Sequence, residues 1–289
     1  MTALSTALVI LAVCSLTGLL LLWLMAGQMV RRPKPDPPAS PEDYDLPSED
    51  VSFTTRDGVL IGGWLIGEKG RRPTVIFCAG LFGSMDGDIH LTPHFIDAGF
   101  DVLQFDWRGH GISHGGRVTL GLRERLDLLA ALDFLQARGV RRIGLLGFSM
   151  GGAVALRAAA ADQRVACVVC DGGYVHIERT LEGFFRARLG LPLRPVVWLL
   201  LRLVELRLWA RLGPISPLPV VSQISPRPVL FIHGAEDPFV PVADQDALFA
   251  ACGDPKWLWR VPGAGHREAY EREPDEYRAR VLSFFRANL

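Results

Sequence analysis

The pattern of apolar and polar positions divides this chain into segments, and the first segment is entirely without charged side chains. It covers residues 1–30, and its part from Ala7 to Met25 is dominated by leucine, valine, isoleucine and alanine. Such a stretch is long enough for the roughly 20 residues that cross a bilayer as a helix. The pattern therefore predicts one transmembrane helix over residues 1–30.

A cleaved signal peptide is the alternative interpretation of this segment. The apolar stretch has no basic residues before it, and residues 24–26 form a poor small-x-small cleavage site, so we favour the membrane anchor. Arg31, Arg32 and Lys34 follow the stretch directly. Because basic flanks stay on the cytoplasmic side, we expect a single-pass membrane protein whose C-terminal part lies in the cytoplasm.

The next segment, residues 31–50, is rich in proline and acidic side chains, which neither continue a helix nor build a core. We expect a semi-rigid linker here. At ~3 Å per residue it would hold the following domain on the order of tens of Å from the membrane, unless it folds back onto the domain surface. The domain itself is expected over residues 51–289.

From residue 51 onward, short apolar runs alternate with segments of helical periodicity. Val51–Arg56 and Val59–Ile66 flank Asp57-Gly58, a strong hairpin turn signal, and predict an antiparallel pair. Further strands are predicted at 74–78, 101–106, from 143, and at 165–171, 228–233 and 257–261, and helices at 89–98, 120–137, 151–161, 243–251 and 275–287. This alternation indicates an α/β fold, with a mainly parallel central sheet and helices on both faces.

Residues 174–221 interrupt the alternation. They contain no strand–helix unit, but a long apolar stretch in which arginine outnumbers the acidic residues. We expect a helical insertion. Two interpretations stay open for it: a lid over an apolar pocket that also touches anionic lipid, or plain packing at the sheet edge.

Composition narrows the classes of function. Lys+Arg and Asp+Glu each number 31, so the formal net charge is zero. The chain therefore has no overall excess of positive charge that would indicate nucleic acid as a partner. The 5 cysteines are scattered through apolar segments, as is typical of reduced thiols. Cys167 and Cys170 fall on opposite faces of one predicted strand, which favours two core cysteines over a shared metal site.

Ser149 stands between Gly147 and Gly151, where an apolar strand meets an alanine-rich helix. Glycine two residues away on either side allows a sharp strand-to-helix turn that lifts the serine hydroxyl clear of the sheet. The amides that begin the helix at Met150 would then face the negative charge that develops in acyl transfer. We therefore predict that Ser149 is a nucleophile and not an ordinary turn residue.

A serine nucleophile needs an imidazole base and a carboxylate that orients the base. His266 lies in a glycine-rich loop between the last predicted strand and the last predicted helix, which is the position expected of the base. Asp237 follows strand 228–233 at its carboxyl end, where ligand-facing residues of parallel sheets gather. Asp171 ends the strand after the serine helix and is the rival acid. We favour Asp237.

The chain order Ser149, Asp237, His266, together with the motifs at residues 106–111 and 233–237, resembles the α/β-hydrolase superfamily over about residues 51–289. Within it, the chain is most similar to membrane-anchored serine hydrolases of the monoacylglycerol-lipase and BEM46-like kind, which are also grouped with serine aminopeptidase-like proteins.

The resemblance implies an oxyanion hole formed by two backbone amides. These map to Met150 and to Leu81, with Phe82 as the alternative to Leu81. Many relatives have His-Gly where this chain has Ala79-Gly80, but a backbone donor survives that change. The resemblance implies neither a metal nor an organic cofactor.

We therefore expect a membrane-tethered serine hydrolase that cleaves an ester or thioester of an apolar acyl group through an acyl-Ser149 intermediate. Its expected partners are a small-molecule acyl substrate and the membrane. Two alternatives stay open: a peptidase of short substrates, and a hydrolase-fold protein without catalytic activity that serves as a membrane-bound interaction module. No oligomeric state is predicted.

Overall fold

The strands form one central sheet. A computed structural model of the protein describes residues 3–31, 39–81 and 83–289. The strands are β1 (Ser48–Thr54), β2 (Leu60–Ile66), β3 (Thr74–Cys78), β4 (Asp101–Phe105), β5 (Ile143–Phe148), β6 (Val165–Asp171), β7 (Val229–Gly234) and β8 (Lys256–Val261). Their spatial order is β1-β2-β4-β3-β5-β6-β7-β8. β2 pairs antiparallel with β1 and β4, and the other neighbours pair in parallel.

Helices cover both faces of this sheet. They are α1 (Ala3–Met29), α2 (Thr92–Asp97), α3 (Glu124–Ala137), α4 (Met150–Ala161), α5 (Ile177–Leu189), α6 (Arg194–Leu208), α7 (Val242–Ala251), α8 (Ala269–Arg272) and α9 (Pro274–Asn288). Leu145 of β5 packs in the apolar cluster that holds α3 and α4, and the next residue, Leu146, packs in the cluster that holds α2 and α9. The strand is therefore apolar at every position, because both of its faces are buried. The predicted fold class is confirmed.

Two predicted helices begin later than expected. The helix predicted over 120–137 begins at Glu124, because Leu120 and Gly121 have positive φ angles of 54° and 93°. The Glu124 carboxylate accepts hydrogen bonds from the backbone N–H groups of Thr119 (2.6 Å) and Gly121 (2.9 Å), which holds the preceding turn. The first part of the helix predicted over 89–98 is a 3₁₀ turn, and only α2 is α-helical.

α1 is, within the described ranges, the one helix that is long and apolar enough to cross a membrane. Most of it is exposed, but its C-terminal end lies against the domain, where Ala26 and Val30 are buried. The Val118 N–H donates a hydrogen bond to the Val30 carbonyl at 3.1 Å, and Arg31 forms an isolated antiparallel bridge with Arg117. α1 therefore contacts the domain directly, in agreement with the alternative in which the chain folds back and not with a separation of tens of Å.

The chain after α1 also lies on the domain surface. The Ala39 N–H donates to the Asp86 carboxylate at 3.1 Å, and the Gly67 N–H donates to the Pro47 carbonyl at 2.8 Å. β1 begins at Ser48, before the expected domain boundary at residue 51. Of the expected linker over 31–50, residues 32–38 lie outside the described residues, and 39–50 follow the alternative in which the segment folds back.

Arg108, in the loop after β4, joins two distant parts of the chain. Its guanidinium donates to Asp127 of α3 at 2.8 Å and to both carboxylate oxygens of Asp57, in the β1–β2 turn, at 2.7 and 2.8 Å. Burial raises the pKa of Asp127 to about 7, although Arg108 acts against that rise. The Arg108 hydrogen bonds, acting against partial burial, hold the pKa of Asp57 far below its ordinary value.

We predict that Arg108→Met lowers the free energy of unfolding by about 3 kcal/mol, because it leaves the buried Asp127 without its partner. Thermal unfolding of the full-length protein in detergent should then show a midpoint roughly 6–12 °C lower. Arg56→Met is the matched control, because Arg56 pairs with Asp133 at 3.9 Å on the surface, and its loss should cost less than about 1 kcal/mol. Equal shifts in the two variants would contradict a structural role for the Arg108 network.

Candidate active site

Ser149 occupies a sharp turn between β5 and α4. Its φ is 50° and its ψ is −114°, a backbone conformation that few residues other than glycine adopt. A Cβ atom on Gly151 would lie 1.9 Å from the Cys78 carbonyl oxygen of β3, and one on Gly147 would lie 2.6 Å from the Gly151 carbonyl oxygen. Both glycines are therefore required by close backbone approach, as the sequence pattern predicts.

The register of the sheet places the loops after β5, β6 and β7 next to one another, at the carboxyl ends of these parallel strands. Phe148 lies beside Asp171, and Asp171 lies beside Ile232. The Ser149 N–H donates to the Asp171 carbonyl at 2.9 Å, which holds the serine turn against the end of β6. The loop after β8 reaches the same edge, since the Glu236 N–H donates to the Ala264 carbonyl at 2.9 Å.

The structure brings Ser149, His266 and Asp237 together at this edge. His266 Nδ1 lies 2.7 Å from Asp237 Oδ2, and His266 Nε2 lies 3.0 Å from Ser149 Oγ. A carboxylate only accepts hydrogen bonds, so the proton of a neutral imidazole belongs on Nδ1. Nε2 is then free to accept the hydrogen bond of the serine hydroxyl, which is the arrangement of a nucleophile and its base.

Asp237 is held in place by its own loop. Its Oδ1 accepts hydrogen bonds from the backbone N–H groups of Phe239 (2.8 Å) and Val240 (2.9 Å), while its side chain is fully buried. Burial alone would raise the pKa of Asp237, but the hydrogen bond and charge of His266 and the two backbone donors hold it below its ordinary value. The buried carboxyl therefore stays ionised and oriented toward His266.

Asp171, the rival acid, has a different partner. Its carboxylate accepts a hydrogen bond from the Tyr277 hydroxyl at 2.9 Å, and the imidazole Nδ1 is already bonded to Asp237. Burial raises the pKa of Asp171 to about 6, against the opposing effects of Arg267 and the Tyr277 hydrogen bond. His110, in the loop after β4, is fully buried, with its Nδ1 3.1 Å from the Arg108 carbonyl.

Arg267 is a neighbour of the site that sequence reasoning missed. Its guanidinium forms an ion pair with Asp88 and lies 4.6 Å from the centre of the Phe148 ring. A Cβ atom on Gly80 would lie 3.3 Å from Arg267 Nη1, so Arg267 packs directly behind the loop after β3. The only sequence signal was the position of Arg267 next to His266, which gives no information about its distant partners.

Leu81 and Met150, the expected oxyanion donors, line the same cavity as Ser149 and His266. Met150 is the first residue of α4, where helical N–H groups have no partner within the helix. Four residues after Leu81, the Met85 N–H donates a hydrogen bond to the Asp106 carboxylate at 2.8 Å, which holds Met85 against the loop after β4. Phe82, the alternative donor, lies outside the described residues.

The cavity above Ser149 has a volume of about 450 Å³, within the range of roughly 300–1,000 Å³ that is usual for small-molecule sites. Its walls are overwhelmingly apolar. One wall is formed by α5, with Leu181, Phe184 and Phe185. Two methionines of α1, Met25 and Met29, also line the cavity, which the sequence did not predict.

Proteins of known family and structure that resemble this chain have the same type of fold. Residues 73–191 match the family described as the alpha/beta hydrolase fold. The chain is 29% identical over 231 residues to the uncharacterized protein YqkD of Bacillus subtilis, covering 78% of this chain and 75% of YqkD. It is 25% identical over 225 residues to the protein bem46 of Schizosaccharomyces pombe, covering 75% of this chain and 70% of that protein.

Among solved structures, the chain is similar to an esterase of Pyrococcus furiosus. The TM-score is 0.76 at 28% sequence identity, and the match covers 90% of this chain and 98% of the esterase. This chain therefore has the α/β-hydrolase fold, and the proteins that it resembles include bem46 and an esterase.

The raised pKa of Asp171 leads to a prediction about stability. Because its pKa is about 6 in the folded protein and about 3.9 in an unfolded chain, folding takes up a proton between these values, so stability falls as the pH rises through this window. Asp171→Asn lacks this carboxyl group. As the pH increases from about 4 to 6, the unfolding midpoint of Asp171→Asn should therefore rise relative to that of the wild type. Thermal unfolding at several pH values measures this, and a difference that is constant with pH would contradict the assignment.

Proposed function

We propose that this protein is a serine hydrolase that cleaves carboxylic ester or thioester bonds of an apolar acyl substrate. The observation that carries this proposal is the hydrogen-bonded chain Ser149–His266–Asp237 at the base of an apolar cavity. Three side chains from three separate loops meet at bonding distance, which a merely structural serine does not require.

The first half of the reaction forms an acyl-enzyme. Ser149 Oγ attacks the substrate carbonyl carbon while His266 Nε2 takes the hydroxyl proton, and Asp237 stabilises the imidazolium that results. The negative charge moves to the former carbonyl oxygen, where the backbone amides of Leu81 and Met150 are proposed to bind it. The tetrahedral intermediate then expels the alcohol or thiol, which receives the proton from His266.

The second half regenerates the enzyme. A water molecule gives a proton to His266 Nε2 and attacks the acyl carbon, and the collapse of the second tetrahedral intermediate breaks the bond to Ser149 Oγ. The proton on His266 returns to Ser149, and the carboxylic acid leaves. Besides the substrate and one water molecule, these steps use only side chains and backbone amides of this chain.

The substrate class follows from the cavity walls. Apolar side chains surround the space above Ser149, and Phe239 packs 5.2 Å from the His266 ring, so a long polar or charged group would lose its hydration there. An acyl chain loses no hydrogen bonds on entry and gains from the burial of its surface. An apolar acyl group therefore fits this cavity better than a polar peptide does.

α1 is proposed to anchor the protein in the membrane, with the catalytic domain in the cytoplasm. Its leucine-rich surface is exposed over most of its length, and Arg31 follows it at once. We also propose that residues 174–221, with α5 and α6, act as a lid. α5 supplies one wall of the cavity. Trp198 of α6 and Trp209, the residue after α6, are exposed, and indole rings suit the membrane–water interface.

We predict that Ser149→Ala and Asp237→Asn each lower kcat by at least about 10³-fold, because one removes the nucleophile and the other removes the charge that orients His266. The measurement is hydrolysis of p-nitrophenyl esters of increasing chain length by the full-length protein in detergent micelles. Asp171→Asn is the matched control, and it should retain activity within about ten-fold, because the Asp171 carboxylate hydrogen-bonds to Tyr277, whereas His266 Nδ1 is bonded to Asp237.

Labelling with a fluorophosphonate probe separates the remaining possibilities. A wild type that neither hydrolyses any ester nor reacts with the probe would overturn the proposal and favour an interaction module without catalytic activity. Turnover of short peptide amides at a higher kcat/KM than any ester would assign the same three residues to a peptidase. Loss of activity in Asp171→Asn, with Asp237→Asn still active, would assign the orienting carboxylate to Asp171 instead of Asp237.

A further inference from the structure

We propose that the N-terminal helix is a wall of the acyl-binding pocket, and that Met25 and Met29 limit the length of the acyl chain that the enzyme accepts. The membrane segment would then be part of the active site as well as an anchor. This inference rests on the proposed function, since it names residues that select the substrate of the same site.

The position of the two methionines supports this inference first. Met25 and Met29 line the cavity that Ser149 and His266 also line. They are four residues apart in α1, so their side chains lie on one face of the helix, one turn above the other. Two side chains at this spacing form a continuous apolar wall along the cavity.

The end of α1 is held firmly enough to serve as a wall. Ala26, between the two methionines, is completely buried, and Val30 is 5% exposed. The backbone continues this attachment, because the Val30 carbonyl accepts the Val118 N–H at 3.1 Å. A helix end that is buried and hydrogen-bonded to the domain keeps its side chains at fixed places in the cavity.

Arg207 of α6 fixes the same part of α1 from a second direction. Its Nε and Nη2 donate to the Trp23 carbonyl at 3.2 and 2.8 Å, and its guanidinium lies 3.7 Å from the centre of the Trp23 ring. Gly27 allows this approach, because a Cβ atom there would lie 3.1 Å from the guanidinium carbon. The anchor and the proposed lid are therefore joined beside the pocket.

The preceding turns of α1 have a different environment. Leu21, four residues before Met25 on the same helix face, is 59% exposed, and Leu11, further along that face, is 64% exposed. This leucine-rich surface suits lipid chains. Within two turns, the helix changes from a lipid-facing surface to the wall of a cavity that leads to Ser149. The geometry places the pocket beside the membrane surface, where an acyl chain could pass from lipid to pocket along one apolar helix face.

Methionine suits a wall that determines length. Its side chain is unbranched and adapts its shape to a ligand, so it can lie against acyl chains of several lengths. A rigid indole at the same place would fill part of the cavity, while alanine would enlarge it. Substitutions at Met29 should therefore change chain-length preference in opposite directions.

The test compares Met29→Trp and Met29→Ala with the wild type as full-length proteins in micelles. We expect Met29→Trp to lower the ratio of kcat/KM for a long ester to that for a short ester at least ten-fold, with turnover of the short ester kept. Met29→Ala should raise that ratio or move the optimum to a longer chain. Leu24→Trp is the matched control, since Leu24 is a close neighbour that does not line the cavity, and it should leave the ratio unchanged.

The outcomes separate this inference from the proposed function. Turnover of short esters with an unchanged ratio in both Met29 variants would overturn the inference and leave the hydrolase assignment intact, whereas a wild type inert toward esters and probe would overturn the hydrolase assignment. If Met29→Trp does not fold, as judged by its thermal unfolding, Met25→Phe replaces it, because Met25 is 39% exposed and tolerates a larger side chain. A shifted ratio in Leu24→Trp would also contradict the inference.

Discussion

The close approach of three backbone segments around Ser149 is the constraint on which the site depends. Gly151 packs against the carboxyl end of β3, and Gly147 packs against Gly151, with no room for a Cβ atom at either position. The strained Ser149 backbone persists because the surrounding structure allows no other path. The same packing sets the first residue of α4 beside the loop that follows β3, so one steric constraint positions both the hydroxyl and the expected oxyanion donors.

Two buried carboxyl groups near Ser149 show how environment decides chemistry. Asp237 has three hydrogen-bond donors, one of them the imidazole, and its pKa is held below its ordinary value in spite of burial. Asp171 has the Tyr277 hydroxyl, and its pKa rises to about 6. The two residues are chemically identical and both lie near the carboxyl ends of the parallel strands, yet only the Asp237 carboxylate is ionised and hydrogen-bonded to His266, the proposed base.

Structural features that depend on residues close together in the sequence could be predicted from the sequence. The serine turn needs only Gly147 and Gly151, and β5 is apolar at every position because both of its faces are buried. Features that depend on distant partners were not predictable. α3 begins later than predicted because the Glu124 carboxylate stabilises a turn before it. Arg267 forms an ion pair with Asp88 and packs on the Phe148 ring, and both partners are far away in the sequence. No spacing rule relates such residues.

The contact between α1 and the domain is the largest feature that depends on residues distant in the sequence. Under the proposed function, this contact would spare an acyl chain exposure to water. A long apolar helix without charged residues predicts a membrane span, and an extended proline-rich segment after it would separate that span from the domain. Separation would leave an acyl chain to cross water between lipid and enzyme, at a cost of ~0.8 kcal/mol for each exposed CH₂ group. Burial of Ala26 and Val30 and the bonds of Arg207 to Trp23 instead keep the helix end against the domain. In the proposed function, the same apolar helix face would then meet both lipid and pocket, so the attachment of α1 to the domain would bear directly on the proposed catalysis.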